Sequence, residues 1–85
     1  MRLTRAQAEA IVQAHRAGVS VSWETTGWKW ILSPETDGTG DLRIVDDGGR
    51  TLVFEVGAVR LTGDFFFIGV VPDEMSLTFP LEAGE

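Results

Sequence analysis

The first periodic segment of the chain predicts a single amphipathic helix. Thr4 and Gln7 have the spacing of a capping box, in which the Thr4 hydroxyl accepts a hydrogen bond from the Gln7 amide. Gly18 can adopt the left-handed conformation that ends a helix, so the predicted helix covers about 5–17.

One side of this helix carries small or apolar residues, and the opposite side carries polar ones. The small and apolar set is Leu3, Ala6, Ala10, Ile11, Ala14 and Ala17. The polar set is Arg5, Glu9, Gln13 and Arg16. An alanine stripe lets a helix backbone approach closely, which favours packing on a sheet over a coiled coil.

From Val19 onward, apolar and polar residues alternate with a period of two, which predicts β-strands. The predicted segments are 19–24, 28–32, 42–45, 51–56, 59–62, 65–71 and 75–81. The 65–71 segment is apolar on both faces, so we expect it to be central. Pro80 cannot donate to a ladder, which places the last strand at an edge. Gly57 is expected to bend the chain, and 33–40 reads as a loop.

The first hairpin can be closed in two ways. A two- or four-residue loop places Glu24 opposite Lys29 and Trp23 opposite Trp30, which forms a charge pair and an aromatic pair. A three-residue loop with Gly27 in the left-handed region would shift the pairing by one residue. We favour the first because of the cross-strand match.

These patterns predict one α+β domain over 1–85, in which an N-terminal helix packs on a twisted antiparallel sheet of five or six strands. The acidic tail, 82–85, is expected to fray. Hydrophobic residues make up 44% and charged residues 24%, which is typical of a globular protein. The chain has no cysteine, so disulfides and thiolate metal ligands are excluded. The N-terminal segment lacks the apolar stretch of a signal peptide, and 65–71 is too short to cross a bilayer; we expect a cytoplasmic protein.

Charge is unevenly distributed along the chain. The net charge is -6, yet 1–30 holds four basic and two acidic residues, whereas 31–85 holds eleven acidic residues and three arginines. Such a surface disfavours direct nucleic-acid binding and favours basic partners, because phosphate binding needs clustered Lys and Arg.

No motif predicts catalysis. His15, in the last turn of the helix, is expected to be structural, its protonated form favoured by the negative end of the helix dipole. Adjacent carboxylates in turns are usually solvated, whereas a general acid needs a buried carboxyl group. The acids of the 33–41 region do not match a calcium loop, and no phosphate-loop or zinc pattern occurs. We therefore expect that the protein is not an enzyme and that it binds neither a metal ion nor a cofactor.

The aromatic residues and acidic turns are the remaining candidates for function. Consecutive phenylalanines in one strand must point to both faces of the sheet, and a single helix covers one face. Exposed aromatics rimmed by charge are typical of protein interfaces. The predicted partner-binding residues are Trp28, Trp30, Asp37, Asp41, Asp46, Asp47, Asp64, Phe65, Phe67, Asp73 and Glu74.

The leading hypothesis is a non-catalytic module that inhibits or regulates a basic partner protein, as a decoy in a nucleic-acid-binding groove. In general character this is similar to small phage-encoded inhibitors of bacterial defence, anti-CRISPR proteins among them, although no motif carries the resemblance. A second hypothesis is a homodimer or larger assembly that uses the uncovered face of the sheet. A third is a small-ligand or enzymatic site near the tryptophans and His15.

Overall fold

The chain begins with helix α1, Arg5–Ala17, in a computed structural model that describes residues 3–25, 27–35, 39–71 and 76–82. Thr4 Oγ1 accepts from the Gln7 amide at 3.1 Å, and the Gln7 side chain accepts from the Thr4 amide at 3.1 Å. At the other end Gly18 has a φ of 73°, and the Val19 amide donates to the Ala14 carbonyl at 2.9 Å. The predicted limits and caps of the helix are confirmed.

The face of α1 that packs on the sheet is not the predicted alanine stripe. Ala8, Ile11 and Val12 are the buried residues of the helix, while Ala6 and Ala10 face solvent. Burial is favoured in proportion to the apolar area removed from water, and the branched side chains of Ile11 and Val12 offer more of it than alanine does. The prediction was wrong because it weighted backbone approach over buried area.

Six strands form one antiparallel sheet in which each strand pairs with its neighbours in the chain, in the order β1-β2-β3-β4-β5-β6. They are β1 Val21–Thr25, β2 Trp28–Pro34, β3 Gly40–Asp46, β4 Thr51–Thr62, β5 Phe65–Val71 and β6 Ser76–Pro80. The α+β class with one N-terminal helix is thus confirmed. β5 lies between two other strands and β6 lies at an edge, as predicted.

The β1–β2 hairpin has the favoured register. Trp23 lies opposite Trp30, and Glu24 lies opposite Lys29. Gly27, in the turn, has a φ of 77°, which a residue with a side chain rarely adopts. The aromatic and charge matches therefore identified the register correctly.

Strand β4 is continuous over 12 residues, where two separate segments were predicted. Gly57 is the extra residue between the pairs Val56–Val70 and Ala58–Gly69, so it forms a β-bulge. A Cβ at Gly57 would lie 2.9 Å from Val71 Cγ2, which explains the absence of a side chain. The first half of β4 pairs with β3 and the second with β5, so the bulge joins two halves of a curled sheet.

Four aromatic rings connect these halves inside the curl. Trp23 and Trp30 stack at 5.9 Å, Trp23 meets Phe66 edge-on at 6.3 Å, and Trp30 meets Phe79 edge-on at 5.1 Å. Trp30 is 9% exposed, and its indole N–H donates to Thr25 Oγ1 at 2.8 Å. Trp30 is therefore a core residue, and its predicted place on a partner-binding surface is wrong.

The two ends of the described chain meet beside β6. The Leu3 amide donates to the Pro80 carbonyl at 3.3 Å, and the Glu82 amide donates to the Leu3 carbonyl at 2.9 Å. The Leu81 amide also donates to the Asp64 carbonyl at 2.9 Å. Glu82 is thus hydrogen-bonded to the start of the described chain, and 83–85 of the tail that is predicted to fray lie outside the described residues. The one helix of the described chain is too short and polar to span a membrane.

Candidate functional site

The face of the sheet opposite α1, here called the outer face, has no other element of the described chain packed on it. Three of its apolar side chains are well exposed: Val53 at 59%, Phe65 at 48% and Val71 at 44%. By strand alternation, the outer face of β2 to β5 includes Lys29, Ile31, Ser33, Asp41, Arg43, Val45, Thr51, Val53, Glu55, Ala58, Arg60, Thr62, Phe65, Phe67, Gly69 and Val71. Exposed apolar groups thus lie among charged ones on an uncovered surface.

Two carboxylates face each other across strands on the outer face. Asp41 of β3 lies directly opposite Glu55 of β4, and this pair, here called the acidic pair, is flanked by Ser33 and Val71. In the part of the chain that the structure describes, neither acid forms an ion pair. Like charges directly opposite on a sheet destabilise it. A cation bound between Asp41 and Glu55 would therefore reduce the repulsion between these two carboxylates.

A second exposed feature, here called the Trp28 end, lies where the β1–β2 and β3–β4 turns meet. Trp28 lies opposite Asp46 and is 39% exposed. Trp28 is among the residues that line two recesses. The larger has a volume of about 290 Å³ and is lined by Glu24, Thr25, Gly27, Trp28, Lys29, Val45, Asp46 and Asp47. The smaller has a volume of about 160 Å³ and is lined by Trp28, Asp46, Arg50 and Leu52.

The two adjacent acids of the β3–β4 turn have different roles. The Asp46 carboxylate accepts from the amides of Gly48 at 3.0 Å and Arg50 at 2.9 Å, and from Arg50 Nε at 2.9 Å. The Arg50 backbone N–H, the Arg50 guanidinium and the Gly48 N–H hold the pKa of Asp46 below its usual value. Asp46 therefore shapes the turn. Asp47 is exposed, and its Oδ2 lies 3.6 Å from where a Cβ of Gly27 would be.

The acidic pair and the Trp28 end lie at different ends of β3, and Trp28 and Asp46 point to the face of Trp30, opposite Asp41 and Glu55. Asp41, Arg43 and Val45 alternate on the outer face, and the chain then turns at Asp46 and Asp47. Six residues of extended chain span about 20 Å. The outer face reaches the larger recess through Glu24, Lys29 and Val45, which line it and lie on that face.

The remaining predicted residues lie away from both the acidic pair and the Trp28 end. Asp64 lies in the β4–β5 turn, at the end of β4 opposite from the Trp28 end. Phe65 and Phe67 are on the outer face beside that turn, and the guanidinium of Arg60 lies 4.5 Å from the centre of the Phe67 ring. Three predicted acids lie outside the described residues: Asp37, Asp73 and Glu74.

His15 differs from its predicted state. It is half-buried, and burial lowers its pKa, so the neutral imidazole is favoured over the protonated form expected at a helix C-terminus. Its Nε2 and the Nε1 of Trp23 are buried and have no hydrogen-bond partner among the described residues. Within the described ranges, no three His, Cys, Asp or Glu side chains come together as a metal site would require.

Glu55 was not among the predicted residues, because it lies inside a strand whereas the predicted acids lie in or beside turns. The signal was present: Asp41 and Glu55 are equally far from Gly48 in the predicted hairpin, so they face each other when the turn is centred there. The exposure of Val53 and Val71 was also missed, since alternation indicates which face a residue occupies but not whether that face is covered.

Comparison with protein-family models, with curated proteins and with solved structures finds no match to this chain.

Proposed function

We propose that this protein is a non-catalytic binding module that inhibits or regulates a partner protein by engaging a basic surface of that partner with its outer face. The acidic pair carries the proposal. Asp41 and Glu55 are held opposite each other and form no ion pair among the described residues, beside the exposed side chains of Val53 and Val71.

The arrangement suits a protein partner because it combines charge with apolar area. A lysine or arginine placed between Asp41 and Glu55 removes their mutual repulsion and gains attraction to both. Val53 and Val71 flank the pair and supply apolar surface to bury, as the centre of a protein interface requires. Val53 and Val71 then form the apolar part of the interface, and the charges of Asp41 and Glu55 determine which partner binds.

The net charge of -6 also favours a basic partner before contact is made, because electrostatic attraction steers an acidic protein toward a basic surface during diffusion. Basic grooves that bind nucleic-acid phosphates are the targets with the greatest charge complementarity. We propose that the outer face occupies such a groove as a decoy, in the general manner of the small phage-encoded inhibitors noted above.

Affinity capture from lysate followed by mass spectrometry tests the proposal. The double variant Asp41→Asn with Glu55→Gln should lose the captured partner. The double variant Glu9→Gln with Asp64→Asn removes the same two charges from α1 and the β4–β5 turn and should retain it.

Binding should weaken as salt rises, and the protein should displace nucleic acid from the purified partner. A partner retained by the first double variant would refute the proposed surface.

The exposed apolar residues of the outer face also favour a second function, a homo-oligomer that buries Val53, Phe65 and Val71 between copies. Salt distinguishes the two functions, because an apolar interface tightens at high ionic strength, whereas contact with a basic partner weakens. Light scattering over a range of concentrations, with Val53→Ser as a variant, tests it. A monomer at every concentration would exclude the oligomer.

A further inference from the structure

Strand β1 forms one edge of the sheet, and among the described residues no other strand pairs with its free side. We propose that this edge receives β1 of a second copy of the chain in antiparallel register, so that the two six-stranded sheets join into one continuous sheet. This inference goes beyond the proposed function, because it concerns the edge of the sheet and not its outer face.

The free side of β1 presents the main-chain groups of two residues. Thr25 and Trp28 pair across the two-residue turn between β1 and β2, so they form a hydrogen-bonded pair. Hydrogen-bonded pairs alternate with other pairs in an antiparallel ladder, so Trp23 also hydrogen-bonds to β2. Ser22 and Glu24 therefore direct their N–H and C=O groups away from β2. Each of these two residues offers one donor and one acceptor to an added strand.

The other edge of the sheet, β6, is partly blocked against such pairing, whereas β1 is not. Pro80 of β6 has no N–H, and its carbonyl already accepts from the Leu3 amide at 3.3 Å. Proline, lysine and bulges are common means by which edge strands avoid pairing with another chain. β1, Val21–Thr25, contains neither proline nor lysine and pairs with β2 with no shift of register. The β1 edge is therefore open to another strand.

The sequence of β1 is complementary to itself in one antiparallel register. When Trp23 lies opposite Trp23 of the second copy, all five residues of the strand are paired. Ser22 then lies opposite Glu24 of the second copy, and each such pair exchanges two main-chain hydrogen bonds. A shift by two residues in either direction leaves part of each strand unpaired. One of these shifts also places the two Glu24 carboxylates opposite each other, which is unfavourable.

Charge favours a second copy at this edge over the basic partner of the outer face. Residues 1–30, which include α1 and β1, hold four basic and two acidic residues, whereas 31–85 holds eleven acidic residues and three arginines. Two copies that meet at β1 therefore bring together the part of the chain that is not acidic and keep the acidic parts apart. A basic strand of another protein would gain no long-range attraction from that part.

Sedimentation equilibrium of the full chain over a range of concentrations tests the inference. Pairing of five residues gives a small interface, so we expect a dimer with a dissociation constant between about 10 µM and about 1 mM. Ser22→Pro removes a main-chain N–H that the sheet of a single copy does not use, and it should abolish the dimer. The matched control Ser22→Ala keeps this N–H and should retain the dimer.

Two charge variants at the same exposed position test the register and keep the test independent of folding. Ser22→Lys places a lysine opposite Glu24 of the other copy on both sides of the two-fold axis, so it should lower the dissociation constant about fivefold. Ser22→Glu should raise it by about the same factor. Thr62→Lys adds the same charge as Ser22→Lys at an exposed position of β4 and should leave the constant nearly unchanged.

Three results would overturn the inference. The first is a protein that stays monomeric up to about 1 mM, and the second is a dimer that survives Ser22→Pro or weakens with Ser22→Lys. The third is a dimer that is lost in Val53→Ser, because the copies then associate through the outer face. If the protein is monomeric and Ser22→Pro loses a captured partner, the edge binds a strand of that partner and not a second copy.

Failure of this inference and failure of the proposed function give different results. The double variant Asp41→Asn with Glu55→Gln should dimerise as the parent protein does, because the acidic pair lies on β3 and β4, away from the β1 edge. If no dimer forms while partner capture still depends on the acidic pair, the edge pairing is excluded and the proposed function stands. If the dimer forms through β1 and capture does not depend on the acidic pair, the proposed function is wrong.

Discussion

Replacing either acid of the acidic pair should stabilise the protein. Asp41 and Glu55 are directly opposite on β3 and β4, and within the described chain they form no ion pair. Asp41→Asn and Glu55→Gln each remove one charge while keeping nearly the same shape, so each removes the same repulsion. The repulsion between Asp41 and Glu55 therefore destabilises the isolated protein.

The expected gain can be estimated from the spacing of the strands. Side chains directly opposite place two carboxylates about 6 Å apart, where unit charges repel by about 0.7 kcal/mol in water. Arg43 lies one pair further along β3, opposite Val53, and offsets part of this repulsion. We expect each single variant to gain about 0.5 kcal/mol, which raises the melting temperature of a domain of this size by about 2–4 °C.

Thermal and urea denaturation at low ionic strength measure this gain. The decisive comparison is the double variant: because either change alone removes the repulsion, the double variant should also gain about 0.5 kcal/mol and not the sum. In 1 M salt, where the screening length falls to about 3 Å, most of the gain should disappear.

Two results would refute this reasoning. If the single variants destabilise the protein, the acids contribute to the fold in a way that the register does not explain. If the two gains simply add, the carboxylates do not interact, and the argument that a partner's cation is needed between them loses its basis.

Three further changes test other parts of the structure. Gly40→Ala should lower the free energy of unfolding by about 1–3 kcal/mol in urea denaturation, because its Cβ would lie 2.7 Å from the Ser33 carbonyl oxygen. The control Gly48→Ala, whose Cβ would be 3.4 Å from a side-chain oxygen, should lower it less. His15→Gln should flatten the loss of stability as pH falls below 6.5, because the folded pKa of His15 is lowered and the unfolded chain takes up the proton first. Asp46→Asn should remove a contribution that is present above pH 3.8 and lost as pH falls through the lowered folded pKa. An unchanged pH profile in either of the last two variants would contradict the assigned cause.

Local signals in the sequence predicted the local parts of the fold. The capping pair Thr4 and Gln7 and the terminal Gly18 located both ends of α1, because caps depend on neighbouring residues only. The register of the first hairpin followed from the match of Trp23 with Trp30, since cross-strand pairs form between residues close in the chain.

The parts that depend on distant residues were not predictable in the same way. Which side of α1 is buried depends on the surface of the sheet against which Ile11 and Val12 pack. Trp30 is buried because Phe79, far along the chain, packs on it. For the candidate site, Trp28 and Asp47 were identified, but their meeting at one recess results from the pairing of β2 with β3.

The strand order described above also bears on how the chain folds. Every strand pairs with its neighbour in sequence, so each hairpin closes a short loop, for which the entropic cost is low. The contact of Trp23 with Phe66 joins the two halves of the sheet and closes a much longer loop. We expect the hairpins to form early and independently, and the folding rate to be set by the encounter of these two rings. Substitutions at Phe66 and substitutions that weaken the early hairpins should therefore both slow folding.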